Sequence, residues 1–137
     1  MRTSGTSRQG SGHGRTGTIP PVLDIQLDEF MGFKVCRPVG ELDAFTVSQF
    51  RQALAELAST PRLIIDMSSV PFVDSAGLGA LIGGIRRARE LGGDVSVCCN
   101  RPTLVRLLRT TGFDRIVTVA ENLEDAAAAL RPAEPAS

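Results

Sequence analysis

Apolar residues recur along this chain with two periods, and the switch from one to the other marks its elements. From Val22 to Asp28, Leu23, Ile25 and Leu27 alternate with Asp24, Gln26 and Asp28, the period of a half-buried strand. Phe33 to Val39 predicts a second strand, and the short link from Glu29 to Gly32 makes the pair an antiparallel hairpin. Pro38 marks the end of that strand or a place near a sheet edge. After a loop, Gly40 to Asp43, the residues Val47, Phe50, Leu54 and Leu57 recur at spacings of three and four. They predict a helix to about Ala58, with Arg51, Gln52 and Glu56 in water. Thr46, with Gln49 three residues later, has the form of a capping box.

Leu63-Ile64-Ile65 is apolar on successive residues, as a central strand covered on both faces would be. A turn leads from it into Asp74-Ser75-Ala76-Gly77 and a Gly/Ala-rich helix that Gly92-Gly93 ends. Val95 to Cys98 is the next strand, so the strand-helix-strand order implies a right-handed parallel crossover. A helix follows from Asn100-Pro102 through Arg109, with Leu104, Leu107 and Leu108 inward, and Gly112 stops it. Ile116 to Val119 predicts a last short strand, and the alanine-rich Asn122 to Leu130 a last helix. The predicted order is ββαβαβαβα in a single α/β domain.

The helix after Ser75 has an unusual surface. On a helical wheel, Leu78, Leu81, Ile82 and Ile85 fall on one face, which must meet the sheet. The opposite face carries Ala76, Gly79, Ala80, Gly83 and Arg87. Each glycine costs about 1 kcal/mol relative to alanine in a helix interior, so something should compensate for Gly79 and Gly83. Either this face packs closely against another element of the chain, or it is a flat platform that a partner's backbone approaches. Ser75 stands at its rim, beside the unpaired amides and positive dipole end of the helix, where a phosphate is well received. Ser75 is therefore the candidate site of chemistry, and on local grounds alone also a candidate N-cap. Asp43 reads as a second cap or a surface contact.

Composition narrows the alternatives. A chain of 137 residues with 42% apolar residues holds one compact core. Zero net charge and a pI near 6.6 give no bulk footprint for nucleic acid or an anionic membrane. Arg101, Arg106, Arg109 and Arg115 read as solvated charges rather than a DNA-binding row. The weakly polar run Ala76 to Ile85 is about half a membrane span, and the N-terminal residues lack the apolar stretch of a secretory signal. A cytoplasmic location is expected. Residues 1–18, which include the only histidine, His13, are too polar to bury a core and are expected to be disordered. The domain is expected over 19–131, with 132–137 frayed. Cys36, Cys98 and Cys99 lack metal-ligand spacing and read as small buried hydrophobes, adjacent ones pointing to opposite faces of a strand. Ser75 is not a hydrolase nucleophile: GxSxG would need glycine at Val73, and no histidine lies in the folded region. Gly77-Leu78-Gly79 is not a dinucleotide loop, since Ile82 replaces the third glycine.

Three blocks, GELDAFT at 40–46, LIIDMSSVPFVDSAGLGALIGGIRRARELGGDVSVC at 63–98 and NRPTLVRLLRTTGFDRIVTV at 100–119, resemble a STAS domain, and more narrowly the bacterial anti-sigma factor antagonists. The resemblance covers about residues 22 to 130. It implies a mixed sheet of about five strands backed mainly by helices, in a protein that is not an enzyme and holds no cofactor or metal. It implies that the unphosphorylated chain, a monomer when free, binds an anti-sigma factor serine kinase and so releases a sigma factor. It further implies that this kinase phosphorylates Ser75 and that a metal-dependent serine phosphatase reverses the step. Many relatives have a second serine where Ala76 stands here, so Ser75 is the single acceptor at the motif. The implied contact surface comprises Asp43, Asp74, Ser75, Ala76, Gly77, Gly79, Ala80, Gly83 and Arg87. The rival reading is a STAS domain that senses a small ligand or nucleotide, with Gly77 to Gly79 as a pocket wall.

Overall fold

The computed structural model describes residues 23–130. The expected tail at 1–18, with His13, and the expected frayed end at 132–137 lie outside the described residues. The elements run β1 (Asp24–Phe30), β2 (Phe33–Val39), α1 (Val47–Glu56), β3 (Arg62–Asp66), α2 (Ser75–Glu90), β4 (Asp94–Cys98), α3 (Pro102–Thr110), β5 (Val119–Ala120) and α4 (Leu123–Leu130). This is the expected ββαβαβαβα order.

Five strands form one sheet in sequence order. β1 and β2 are antiparallel, joined by Met31 (φ 52°) and Gly32 (φ 85°), two left-handed residues whose twist suits a tight hairpin. The remaining neighbours are parallel. Because every right-handed crossover advances in the same direction, α1, α2 and α3 land on one face of the sheet. There Phe50, Leu54, Leu81, Ile85, Leu104 and Leu108 pack on Cys36, Leu63, Ile65, Val95 and Val97. Among the described helices α4 alone covers the other face, over Val35, Ile64 and Cys98, and its Ala126 carbonyl accepts from the buried Ser96 hydroxyl at 2.8 Å. Cys98 and Cys99 accordingly sit in opposite halves of the core, and all three thiols are free and buried. Pro38 lies beyond the β2–β3 pairing, which stops at Cys36, so its missing donor breaks no bond there.

Three local expectations are corrected. The alternation of β1 does not bury Leu27, which is 65% exposed, because among the described residues β1 is an edge strand whose only strand neighbour is β2. The last strand is Val119–Ala120; before it, Gly112 (φ 79°) turns the chain so that Phe113 and Val117 enter the core, with a 3-10 turn at Phe113–Arg115. The capping box at Thr46 and Gln49 does not form. The buried Thr46 hydroxyl donates to the Glu41 carbonyl at 2.8 Å, while Gln49 Oε1 accepts the Leu23 amide at 3.1 Å and fastens the start of β1.

Candidate functional site

The site lies at the carboxyl edge of the sheet, where the loop leaving β2 meets the loop leaving β3. Leu42 is fully buried between them and pairs as an isolated parallel bridge with Val73. The Gly40 amide donates to the Ser69 carbonyl at 3.2 Å, Leu42 to Phe72 at 2.9 Å, and Asp74 back to Leu42 at 3.1 Å. Two loops, which have no repeating hydrogen-bond pattern of their own, thereby gain the pairing of a short strand ladder.

Asp74 completes this junction. It is the N-cap of α2: Oδ1 accepts the Gly77 amide at 2.9 Å, and Oδ2 accepts the Ala44 amide at 3.1 Å. One carboxylate thus satisfies a helix donor and pins the neighbouring loop. The local expectation that Ser75 caps the helix is corrected, because the cap is the residue before it. Ser75 is the exposed first residue of α2, and its hydroxyl has no capping duty. The Ser75 and Ala76 amides make no hydrogen bond among the described residues, so helix donors remain free beside that hydroxyl.

Asp43 shapes the facing loop. Its Oδ1 accepts the amides of Phe45 at 2.9 Å and Thr46 at 3.1 Å, as an aspartate does in a side-chain turn. Asp43 is half-buried and holds the turn that leads into α1, whose N-cap residue is Thr46, so it is not itself the helix cap.

The small residues of α2 divide into two sets. Gly77 faces inward: a Cβ there would lie 2.5 Å from the Leu42 carbonyl oxygen and 2.8 Å from Leu42 Cγ. Gly84 similarly meets Leu54 of α1. Ala80 is 5% exposed and Ala88 is buried, which corrects the placement of Ala80 on the outer face. The wheel centred the inward arc on the leucines and isoleucines. The approach of α1 and Leu42 shifts that arc, so Leu78 and Ile82 are only half-buried. Gly79 and Gly83 have no described atom within 4 Å of where a Cβ would stand and are exposed, with Ala76 half-buried between them and Ser75. The outer platform therefore consists of Ser75, Ala76, Gly79 and Gly83. Arg87 is also exposed, but twelve residues on it stands about 18 Å from Ser75 along the helix axis.

Two residues escaped the sequence reading. Phe45 is 78% exposed and Phe72 is 51% exposed, and they sit on the two loops that the Leu42 ladder joins. The only signal was negative, since neither belongs to a helical or alternating apolar series.

A cleft of about 370 Å³ is lined by Leu27, Asp28, Glu29, Lys34, Val35 and Leu57, not by Gly77 to Gly79. Gly77 is buried against Leu42. Among the described residues there is no group of three or more His, Cys, Asp or Glu placed to hold a metal ion, and no helix is long and apolar enough to cross a membrane.

A mixed sheet with three crossover helices on one face, and an exposed serine opening the helix after the central strand, defines a small α/β domain built to present a surface. The chain belongs to the STAS domain family, whose model matches residues 24–126. It is 28% identical over 103 residues to the anti-sigma F factor antagonist of Paenibacillus polymyxa, covering 73% of this chain and 88% of that protein. It is 29% identical over 86 residues to the anti-sigma-B factor antagonist of Bacillus subtilis, covering 62% of this chain and 79% of that one. The crystal structure of an anti-sigma factor antagonist from Mycobacterium paratuberculosis superposes with a TM-score of 0.73 at 28% identity, over 80% of this chain and 95% of that one.

Proposed function

We propose that this chain is an anti-sigma factor antagonist that acts by binding rather than catalysis, with residues 19–131 as the binding unit. Its unphosphorylated form binds a kinase-type anti-sigma factor in the cytoplasm and frees the sigma factor. The kinase then phosphorylates Ser75 and ends the interaction, and a metal-dependent serine phosphatase restores it. The observation that carries this reading is the division of labour at the start of α2. Asp74 does the capping, which leaves the exposed Ser75 hydroxyl without a hydrogen-bond partner among the described residues. The names of the Paenibacillus and Bacillus relatives, both anti-sigma factor antagonists, support it.

The physics of the switch is local. A phosphoserine brings about −1.5 to −2 charges, placed next to the Asp74 carboxylate at the rim of the Gly79–Gly83 platform. At an effective dielectric of about 20, a pair of unit charges about 4 Å apart is worth about 4 kcal/mol, whereas a tenfold loss of affinity needs only about 1.4 kcal/mol. A charge change of this size is enough to switch binding if the interface desolvates it. The free Ser75 and Ala76 amides favour the anion, so the helix stays folded and the change is electrostatic.

Incubating the full chain with native cytosol and ATP, followed by peptide mass spectrometry, tests the acceptor. The expected product is one phosphoryl group on Ser75 in the wild type and none in Ser75→Ala. Phosphorylation elsewhere, or none, would refute the assignment.

A further inference from the structure

We infer that Phe45 and Phe72 are a paired aromatic anchor for the same kinase that modifies Ser75, held in register by Asp74. The inference rests on the functional reading above and names the residues through which the partner grips. Phe72 lies three residues before Ser75, and its carbonyl accepts the Leu42 amide. Phe45 follows Ala44, whose amide is bonded to Asp74 Oδ2, and its own amide is fixed by Asp43 Oδ1. Both aromatic residues therefore rise from backbone pinned to the residue next to the acceptor.

Several observations point to a protein partner at this place. A kinase that delivers a phosphoryl group to the Ser75 hydroxyl must bring its surface against the segments flanking it, and those segments carry Phe45 at 78% and Phe72 at 51% exposure. A phenylalanine buries about 150–250 Å² on desolvation, and interfaces concentrate their energy in a few such anchors on preorganised backbone. On the helix that Ser75 opens, Gly79 and Gly83 offer bare backbone, with no described atom within 4 Å of where a Cβ would stand. Leu27 is comparably exposed but lies on the edge strand β1, among the residues of a different cleft, so it serves as the control. Asp74 is a positioning residue here, acting through the Ala44 amide rather than by contact.

The test uses the full chain and the kinase isolated from native cytosol by its transfer of phosphate from ATP to Ser75. Affinity in the presence of ADP, and KM and kcat for Ser75 phosphorylation, are measured for Phe45→Ala, Phe72→Ala and Leu27→Ala. Phe72→Leu is a second variant that keeps an apolar side chain at this position while removing the exposed aromatic ring. Each Phe→Ala variant is expected to weaken binding by about thirtyfold, the size of an interface hot spot, and to raise KM more than it lowers kcat. Leu27→Ala is expected to change neither by more than about twofold. If the kinase phosphorylates all variants with the wild-type KM, the anchors are refuted and the functional reading survives. If no fraction phosphorylates wild-type Ser75, the functional reading falls and this inference with it. If wild type self-associates and the Phe variants do not, the pair is a contact between copies of this chain and the inference is overturned.

Discussion

Glycines on the buried and the exposed sides of α2 should respond to alanine with opposite signs. At Gly79 and Gly83 nothing lies within 4 Å of the added methyl, so each substitution should return the helix propensity that glycine gives up, about 1 kcal/mol. At Gly77 the methyl would sit 2.5 Å from a backbone oxygen and 2.8 Å from the Leu42 side chain. That oxygen accepts the Asp74 amide, so it cannot retreat without opening the loop junction. Overpacking against a backbone oxygen that cannot move falls toward the upper end of about 1–3 kcal/mol, which after the propensity gain of about 1 kcal/mol leaves Gly77→Ala destabilised by up to about 2 kcal/mol. Gly84→Ala is the intermediate case, because the atom it meets is Leu54 Cδ1 at 2.6 Å, the movable tip of a side chain, and its net effect should be near zero. The chain has neither Trp nor Tyr, so urea unfolding is followed by far-ultraviolet circular dichroism. In melting, each kcal/mol corresponds to roughly 4–8 °C for a domain of this size. The same Gly79→Ala that stabilises the fold should weaken partner binding, because it raises the platform by a methyl group. Gly77→Ala as stable as wild type, or Gly79→Ala and Gly83→Ala that stabilise nothing, would refute the division of the two faces.

Other consequences follow from the same contacts. Asp74→Asn can keep one acceptor oxygen but lacks the second that Ala44 needs, so it should cost about 1 kcal/mol, and Asp74→Ala about 2 kcal/mol as the cap is lost as well; urea titration checks the order, and equal losses would contradict the two-handed role. Asp66 is buried beside Arg37 at 2.9 Å. Burial alone would raise its pKa, but hydrogen bonds from Ser68 and the Arg37 pair hold the carboxyl below its ordinary value. Its contribution is therefore complete above about pH 4 and is lost as the pH falls through the depressed pKa. Asp66→Asn should destabilise by about 3 kcal/mol at neutral pH, with the gap closing in acid; a constant gap from neutral pH down into strong acid would contradict this. Burial pushes the Cys36 thiol up to about 12 and, as the largest effect, the Cys98 thiol up to about 11, so a thiol reagent at mild pH should find no fast-reacting cysteine until the chain is unfolded.

Much of the architecture was legible because it depends on periods that sequence carries directly. The all-apolar Leu63-Ile64-Ile65 announced a strand covered on both sides, the adjacent Cys98 and Cys99 announced opposite faces, and the strand-helix-strand order announced the crossovers. What escaped depends on neighbours distant in sequence. No spacing within α2 says that Leu42 will press on Gly77, and without Leu42 and α1 the wheel places Ala80 in solvent. Ser75 and Asp74 are both good caps by residue type. The choice of Asp74 follows from a carboxylate that has two amides to serve, and one of them, Ala44, lies thirty residues away. Gln49 left its expected box for the same kind of reason, since its Oε1 accepts the Leu23 amide, twenty-six residues away. Phe45 and Phe72 have no period to betray them, and only the folded surface reveals that they stand uncovered beside Ser75.

The central claim is that charge at Ser75 switches a protein partner. The direct measurement presents wild type, Ser75→Ala and Ser75→Asp as parallel baits to native cytosol and identifies the retained proteins by mass spectrometry. The account predicts an ATP-binding anti-sigma factor kinase held by wild type and Ser75→Ala and lost with Ser75→Asp, while circular dichroism shows all three baits equally folded. The same proteins on all three baits, or no kinase on any, would contradict it and leave Ser75 as no more than the first residue of a helix.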